Sequence, residues 1–476
     1  MSPRQDQSQL SRRRQFMAGL GTAGLAAVPL HGPLSGVIRA AESAANVAKC
    51  GRQCLFIFLF GGPSHIDLFD MKPKAPQEIR GEFQPIATSV PGIEVSEHLP
   101  RMARAMEHFC LLRSMTHQMP VHGPACSEIY SGRPYFGPPI TDQATPEDWP
   151  SLAACVQRFF PQVGRTPNSV VLPWYTQFVG QDRKIAGQTG GRMGESFNPF
   201  LVQGDPTQDQ FDVPGLLLPK DTSDARWALR RELVSQLDTW PVRGEAASRP
   251  SLDRLAENYA AAFRIVGHAD LAAAFQLGKE PPESRDRYGR NRFGQSLLLA
   301  RRLTAAGVPL VSVNWDDDNQ DDKVSPHWDT HTQNFPKLKD RLAPPFDQAM
   351  SALVSDLAER GQLERTLVVA VGEFGRTPKV GVVNQNAMTD SSGRDHWPHA
   401  FTAVLAGGPV RGGQVYGSTT DNGGYVKDRP VSPADLTATV LNWLGVDPET
   451  EYDDRFLKIR QKLSEGRVLD DLGGAV

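Results

Sequence analysis

Residues 366–378 read TLVVAVGEFGRTP, and after a polar loop residues 393–399 read GRDHWPH. The run Leu367-Val368-Val369-Ala370-Val371 is short, apolar and rich in β-branched residues, and it stops at Gly372. Strands buried on both faces of an α/β sheet have this pattern. Glu373 and Arg376 follow at once, and Asp395, His396 and His399 follow one loop later. A central strand that delivers a carboxylate and imidazoles at its carboxyl end is how α/β enzymes commonly build a site. The stretch predicts an α/β fold with its chemistry gathered at this strand end.

The rest of the chain supplies partners for that strand. Residues 54–60, CLFIFLF, form the strongest strand candidate and break into Gly61-Gly62-Pro63-Ser64-His65-Ile66-Asp67. The glycine pair permits close backbone approach to a ligand or ion, while a plain tight turn with His65 and Asp67 bonded to backbone would read the same way. Further strands are predicted at 109–112, 169–172, 309–315 and 401–405, and helices at 99–108, 151–160, 291–306 and 346–360. Ser432-Pro433 opens a last helix that stops at Gly445. Three-to-four spacing of apolar residues predicts helices at 225–237 and 251–275, read as scaffold, and 180–212 reads as a long surface loop over the site. His122-Gly123-Pro124 opens a small-residue helix that closes on Ser131-Gly132-Arg133, which sets His122 near a helix N-terminus.

Composition sets the outer bounds. A 476-residue chain with 39% hydrophobic residues can bury a large core, and a net charge of −3 gives no electrostatic footprint for nucleic acid. The N-terminus stands apart. Arg12-Arg13-Arg14-Gln15-Phe16-Met17 precedes a Gly/Ala-rich apolar segment at 18–30, the layout of a twin-arginine (Tat) export signal. That segment is too short and glycine-rich for a stable membrane span. The expectation is a signal at 1–41, export through the Tat translocase to the periplasm or cell surface, and one α/β domain at 42–476 with a helical and loop insertion around 180–290. The five cysteines show no paired CxxC spacing, which argues against a zinc ribbon.

Six of the eleven histidines fall in three close pairs: His117 with His122, His327 with His331, and His396 with His399. His65 makes a fourth location, and all four follow predicted strands within a few residues or one loop. A metal site assembled from separate strand ends has this distribution. The segment His327-Trp328-Asp329-Thr330-His331 mixes carboxylate and imidazole donors, which suits zinc, manganese or iron. The acidic run Asp316-Asp317-Asp318 with Asp321-Asp322 reads as a solvated loop or, alternatively, as calcium ligands.

The motifs GGPSHIDLFDMKP, VHGPACSEIYSGRP, HWDTH, GEFGRTP and GRDHWPHAF, with DRPVSPADLTATVLNWLG near the C-terminus, resemble the exported family called domain of unknown function 1501. That family in turn resembles the alkaline-phosphatase-like superfamily of sulfatases and phosphatases. The resemblance implies a three-layer α/β/α sandwich with a mostly parallel sheet. It also implies a metal-dependent hydrolase of sulfate or phosphate esters, with a sulfated glycan as one candidate substrate. On this basis His122 occupies the nucleophile position, where sulfatases have Cys or Ser. Asp329, His331, Glu373 and His396 would hold a divalent ion, zinc or manganese with calcium as an alternative, and Asp67 or His65 would replace the missing first-strand ligand. Arg376 would balance the anionic substrate, with Ser64, His65 and Asp395 beside it. The altered nucleophile and Phe374, where the superfamily has a histidine, favour a rival: a relative without catalysis that binds glycan or a partner at the cell surface.

Overall fold

The strand at the centre of the computed structural model is β1 (Gln53–Phe58), whose alternating side chains are buried on both faces. The structure describes residues 51–137, 143–161, 166–181, 183–208, 269–316 and 321–473, with Phe211, Arg226, Leu229 and Glu232. All belong to one compact unit, Lys49–Val476. The expected signal at 1–41, most of the helices at 225–237 and 251–275, and Asp317-Asp318 lie outside the described residues.

β1 pairs in an eight-stranded sheet with β2 (Phe109–Met115), β3 (Ser169–Leu172), β4 (Phe200–Leu201), β5 (Leu310–Asn314), β6 (Thr366–Val371), β7 (Phe401–Ala406) and β8 (Gln414–Tyr416). The order is β8-β2-β7-β6-β1-β5-β3-β4. Every pairing is parallel except those of β7, which runs antiparallel between β2 and β6. β6 and β5 flank β1, so three parallel strands release their chains at one edge.

Helices cover both faces. Leu55 and Ile57 point to a cluster with Leu297 and Leu298 of α3 (Arg292–Ala305) and Leu353 and Val354 of α4 (Ala343–Glu359). Phe56 and Phe58 point the other way. They meet Ile129 of α1 (His122–Ser131), Leu152 and Val156 of α2 (Leu152–Phe159) and Val440 and Leu441 of α5 (Pro433–Leu444). The period-two alternation of one strand thus supplies both cores of a three-layer α/β/α sandwich. The predicted helix ends hold where capping chemistry is local. Asn291 caps α3, and Ser432 with Asp435 forms a capping box on α5, which ends at Gly445 with φ +83°.

The segment at 180–212 departs from the expectation of a surface loop. Ile185, Ala186, Met193 and Val202 are buried, two 3-10 turns interrupt it, and β4 extends the sheet edge. The Gln188 side chain organises it, accepting from Thr176 N at 2.8 Å and donating to the carbonyls of Thr176 and Ile185. Polar composition masked this burial because one amide satisfies three backbone groups.

A second surprise is a fully buried ion pair. Arg394 makes a bidentate pair with Asp67, both contacts at 2.8 Å, and also donates to the carbonyls of Ile79 and Thr377. Ser64 and Asn334 satisfy the same carboxylate at 2.6 and 2.9 Å. Removing one partner leaves an uncompensated buried charge. Asp67→Ala should therefore destabilise the protein by about 3–5 kcal/mol, read from denaturant unfolding. The double replacement Asp67→Leu with Arg394→Met should cost less than the single change.

Candidate metal centre

Four side chains from distant parts of the sequence meet beyond the carboxyl ends of β1, β5 and β6. His122 is the first residue of α1, and Asp329 and His331 lie on the loop that follows β5. His396 comes from a two-residue ribbon, in which it pairs with Arg376 just after β6. The glycine pair after β1 makes room for this convergence. A Cβ on Gly61 (φ +109°) would lie 2.4 Å from Asp329 N, and one on Gly62 (φ +75°) 2.6 Å from the Phe374 ring. No side chain fits either place.

One potential ligand atom from each of His122, Asp329, His331 and His396 lies within 4.8 Å of the others. His331 Nε2 is 3.0 Å from His396 Nε2 and 2.8 Å from Asp329 Oδ1, and His396 Nε2 is 3.2 Å from that same oxygen. His122 Nε2 is 3.1 Å from Asp329 Oδ2, yet it is buried and out of line for a hydrogen bond. Each ring's Nδ1 is engaged on the far side. That of His122 donates to Glu373 Oε1 at 2.6 Å, that of His396 to the Pro120 carbonyl at 2.7 Å, and that of His331 meets Thr389 Oγ1 at 2.8 Å. A carbonyl can only accept, so His396 carries its proton on Nδ1 and turns a lone pair inward. Imidazoles held by Nδ1 with Nε2 convergent are the usual arrangement of metal-ligating histidines.

The electrostatics follow from burial and from Asp329. Burial alone would lower the His122 pKa, but the charge of Asp329, with the hydrogen bond and charge of Glu373, reverses this and pushes it up to about 9. Burial, reinforced by His122, pushes His396 down to about 3. Burial would raise Asp329, but His122, Arg376 and His331 hold it well below the usual carboxylate range. Phe60, Phe178 and Phe374 stand around the His122 ring at centroid distances of 5.4, 6.0 and 5.0 Å, which limits the access of water.

The expected site residues divide into two groups. Asp329, His331 and His396 come together, and His122 joins them. Glu373 stands behind His122, where its carboxylate also accepts from Gly61 N at 2.9 Å. Asp67 is elsewhere, locked to Arg394. Arg376, expected to face substrate, is fully buried and spends its donors on Asp329 Oδ1 (2.6 Å), Gly62 O (2.9 Å), Trp328 O (3.2 Å) and the carbonyls of Gly61 and Arg394. Asp395, also fully buried, takes the backbone N–H groups of Asn384, Gln385 and Asn386 and lies 3.5 Å behind His331 Nδ1. Ser64 bonds Asp67, and His65 Nε2 meets the Gly423 carbonyl at 2.8 Å. Asp316 and Asp322 of the acidic run are each paired, with Arg292 and Lys337, both at 2.7 Å. Thr389 and the Pro120 carbonyl had no signal in the sequence, because a loop hydroxyl and a backbone oxygen carry no motif.

The donor set fits a metal. Zinc–nitrogen bonds of about 2.0–2.1 Å place tetrahedral ligand atoms about 3.3 Å apart, close to the 2.8–3.2 Å contacts that link Asp329 to the three imidazoles and His331 to His396. Orphaned His122 Nε2 would gain a partner. Three imidazoles and one carboxylate suit zinc or manganese better than calcium, which takes oxygen ligands. Because His122 is protonated at neutral pH without metal, loading at pH 7 should release about one proton, measured by calorimetry in buffers of different ionisation enthalpy. The same shift predicts that metal-free protein loses stability as pH rises from about 6.5 to about 9. The His122 contribution is complete below the unfolded pKa and gone above the folded one, so His122→Asn should flatten that part of the stability profile.

Comparison with curated protein sequences finds no match. Among solved structures, a sulfatase from Pseudoalteromonas sp. aligns at 13% identity over 92% of this chain and 77% of its own, with a TM-score of 0.36. An alkaline phosphatase superfamily protein from Vibrio parahaemolyticus aligns at 10% identity over 88% and 69%, with a TM-score of 0.35. A phosphonate monoester hydrolase from Silicibacter pomeroyi aligns at 13% over 89% and 77%, with a TM-score of 0.34. The model of the family described as Protein of unknown function (DUF1501) matches residues 51–472, and this chain is a member of that family.

Proposed function

We propose that this protein is a metal-dependent hydrolase of sulfate or phosphate esters, with His122, Asp329, His331 and His396 holding one zinc or manganese ion. The observation that carries this reading is the convergence of three buried Nε2 atoms on one carboxylate, each ring tethered through Nδ1. This assignment changes three expected roles. His122 becomes a ligand, and Glu373 becomes the group that orients it. Arg376 stabilises the Asp329 carboxylate instead of binding substrate.

When bound, the ion would polarise an ester oxygen and offset charge on the leaving group. The chain's own residues prepare the place. Glu373 fixes the tautomer and tilt of His122, and Thr389 with Asp395 does the same for His331. Phe60, Phe178 and Phe374 lower the local dielectric, which strengthens every charge interaction within their ring. Export through residues 1–41 belongs to the same proposal, supported by the twin-arginine pattern, and so does action on a sulfated glycan, which the resemblance to sulfatases implies. No helix among the described residues is long and apolar enough to cross a membrane.

Elemental analysis of the purified protein should find about one zinc or manganese per chain, lost in His331→Ala and in His396→Ala. Glu373→Gln should weaken metal affinity about 10- to 100-fold, as loss of an orienting group does. Hydrolysis of 4-nitrophenyl sulfate or phosphate should fall with metal content. A wild-type protein without stoichiometric metal would sink the reading. The 2.6 Å Glu373–His122 pair also suits a general base or nucleophile. Full metal affinity with lost turnover in His122→Ala would give His122 that role instead.

A further inference from the structure

Trp397 and His399, immediately after the proposed ligand His396, cluster with Tyr425 near the surface. Trp397 and His399 meet edge to face at 4.9 Å and 83°, and Tyr425 lies over His399 at 5.4 Å and 27°. Trp397 also meets Tyr425 at 5.6 Å and 70°. Tyr425, the outermost ring, is 53% exposed. A single exposed tyrosine would call for no explanation. This one sits on a loop pinned at several points. Trp397 Nε1 donates to the Gly424 carbonyl and His65 Nε2 to the Gly423 carbonyl, while Thr420 and Tyr425 exchange two hydrogen bonds at 2.8 and 3.1 Å. Gly423 (φ +69°) is packed so closely that a Cβ would lie 2.9 Å from Ile66. The ring is therefore held out in one orientation instead of being folded away.

The same loop borders a cleft of about 610 Å³ through Asp421 and Asn422, with Lys72 and Lys74 on the opposite chain segment. Lys72 is engaged by Asp70 at 3.0 Å, and Lys74 is exposed. The outward face of Tyr425 is an exposed aromatic surface on the same loop as the amide of Asn422 and the carboxylate of Asp421, which line the cleft with Lys74, and this combination matches a sugar ring with an anionic substituent. Its C–H face is apolar, its rim is hydroxylated, and its charge needs a cation. Location agrees. Three residues of chain span at most about 11 Å, so His399 lies within about two sugar units of the ligand His396.

We infer that the Trp397–His399–Tyr425 platform is a saccharide subsite that takes a ring of a sulfated sugar chain neighbouring the one that carries the scissile ester. This deepens the hydrolase reading and rests on it. The probes are sulfated tetrasaccharides from carrageenan and from chondroitin sulfate, with their desulfated counterparts, titrated by calorimetry into the protein as isolated. At least one sulfated probe should bind. Tyr425→Ala should weaken binding about tenfold, and Tyr425→Trp should retain it. Lys74→Gln should weaken the sulfated probe and leave the desulfated one unchanged. Metal content and turnover of 4-nitrophenyl sulfate or phosphate should stay unchanged in Tyr425→Ala. Absence of wild-type binding, or equal binding by Tyr425→Ala, overturns the subsite. Turnover of small esters without Tyr425-dependent binding removes the platform and leaves the hydrolase. Tyr425-dependent binding without metal or ester turnover removes the hydrolase and leaves a saccharide platform.

Discussion

The Arg376 guanidinium is the fastening on which the candidate site depends. It lies fully buried where three strand ends meet, and it joins the carbonyls of Gly61, Gly62, Trp328 and Arg394 to the Asp329 carboxylate. Carbonyls at turns cannot bond one another, and in a closed interior they would go unsatisfied. One planar cation with five donors meets that need and, after His122 and together with His331, helps to keep Asp329 ionised. The backbone of β1, the loop after β5 and the segment after β6 are thereby set in one geometry before any ligand arrives.

A second arginine does the same work one layer back. Arg394 holds Asp67 with both nitrogens, and Asp67 holds Asn334, which in turn accepts from Thr330 at 2.6 Å. Thr330 sits between Asp329 and His331. The loop that presents two of the four convergent groups is fixed from both sides, by Arg376 at Asp329 and by the Arg394 network at Thr330. His117 adds a third brace. Its Nε2 donates to the Glu373 carbonyl at 2.5 Å, and burial pushes its pKa down to about 4, so it remains a neutral hydrogen-bonding ring.

Much of this was legible in the sequence, for identifiable reasons. The β1 and β6 runs announced buried parallel strands by composition, and the caps at Asn291 and Ser432 announced helix starts by local chemistry. Asp329, His331 and His396 were legible as donors because they follow strands and cluster. Roles were harder to read than locations. Nothing along the chain says whether a carboxylate such as Glu373 faces an ion or stands behind an imidazole, because that depends on the angle at which α1 meets β6. Arg376 and Asp67 looked available for substrate or metal, and burial gave each a partner of opposite charge. The segment at 180–212 looked like solvent-facing polar chain until the Gln188 side chain was seen to satisfy its backbone.

The central claim is that the four convergent groups form one closed coordination shell. Anomalous diffraction from crystals grown with the native metal tests it most directly. The account predicts a single strong peak about 2.0–2.2 Å from the Nε2 atoms of His122, His331 and His396 and from an Asp329 oxygen, with Glu373 outside bonding distance. A peak bonded to Glu373 or Asp67 instead, or no peak among these side chains, would contradict it.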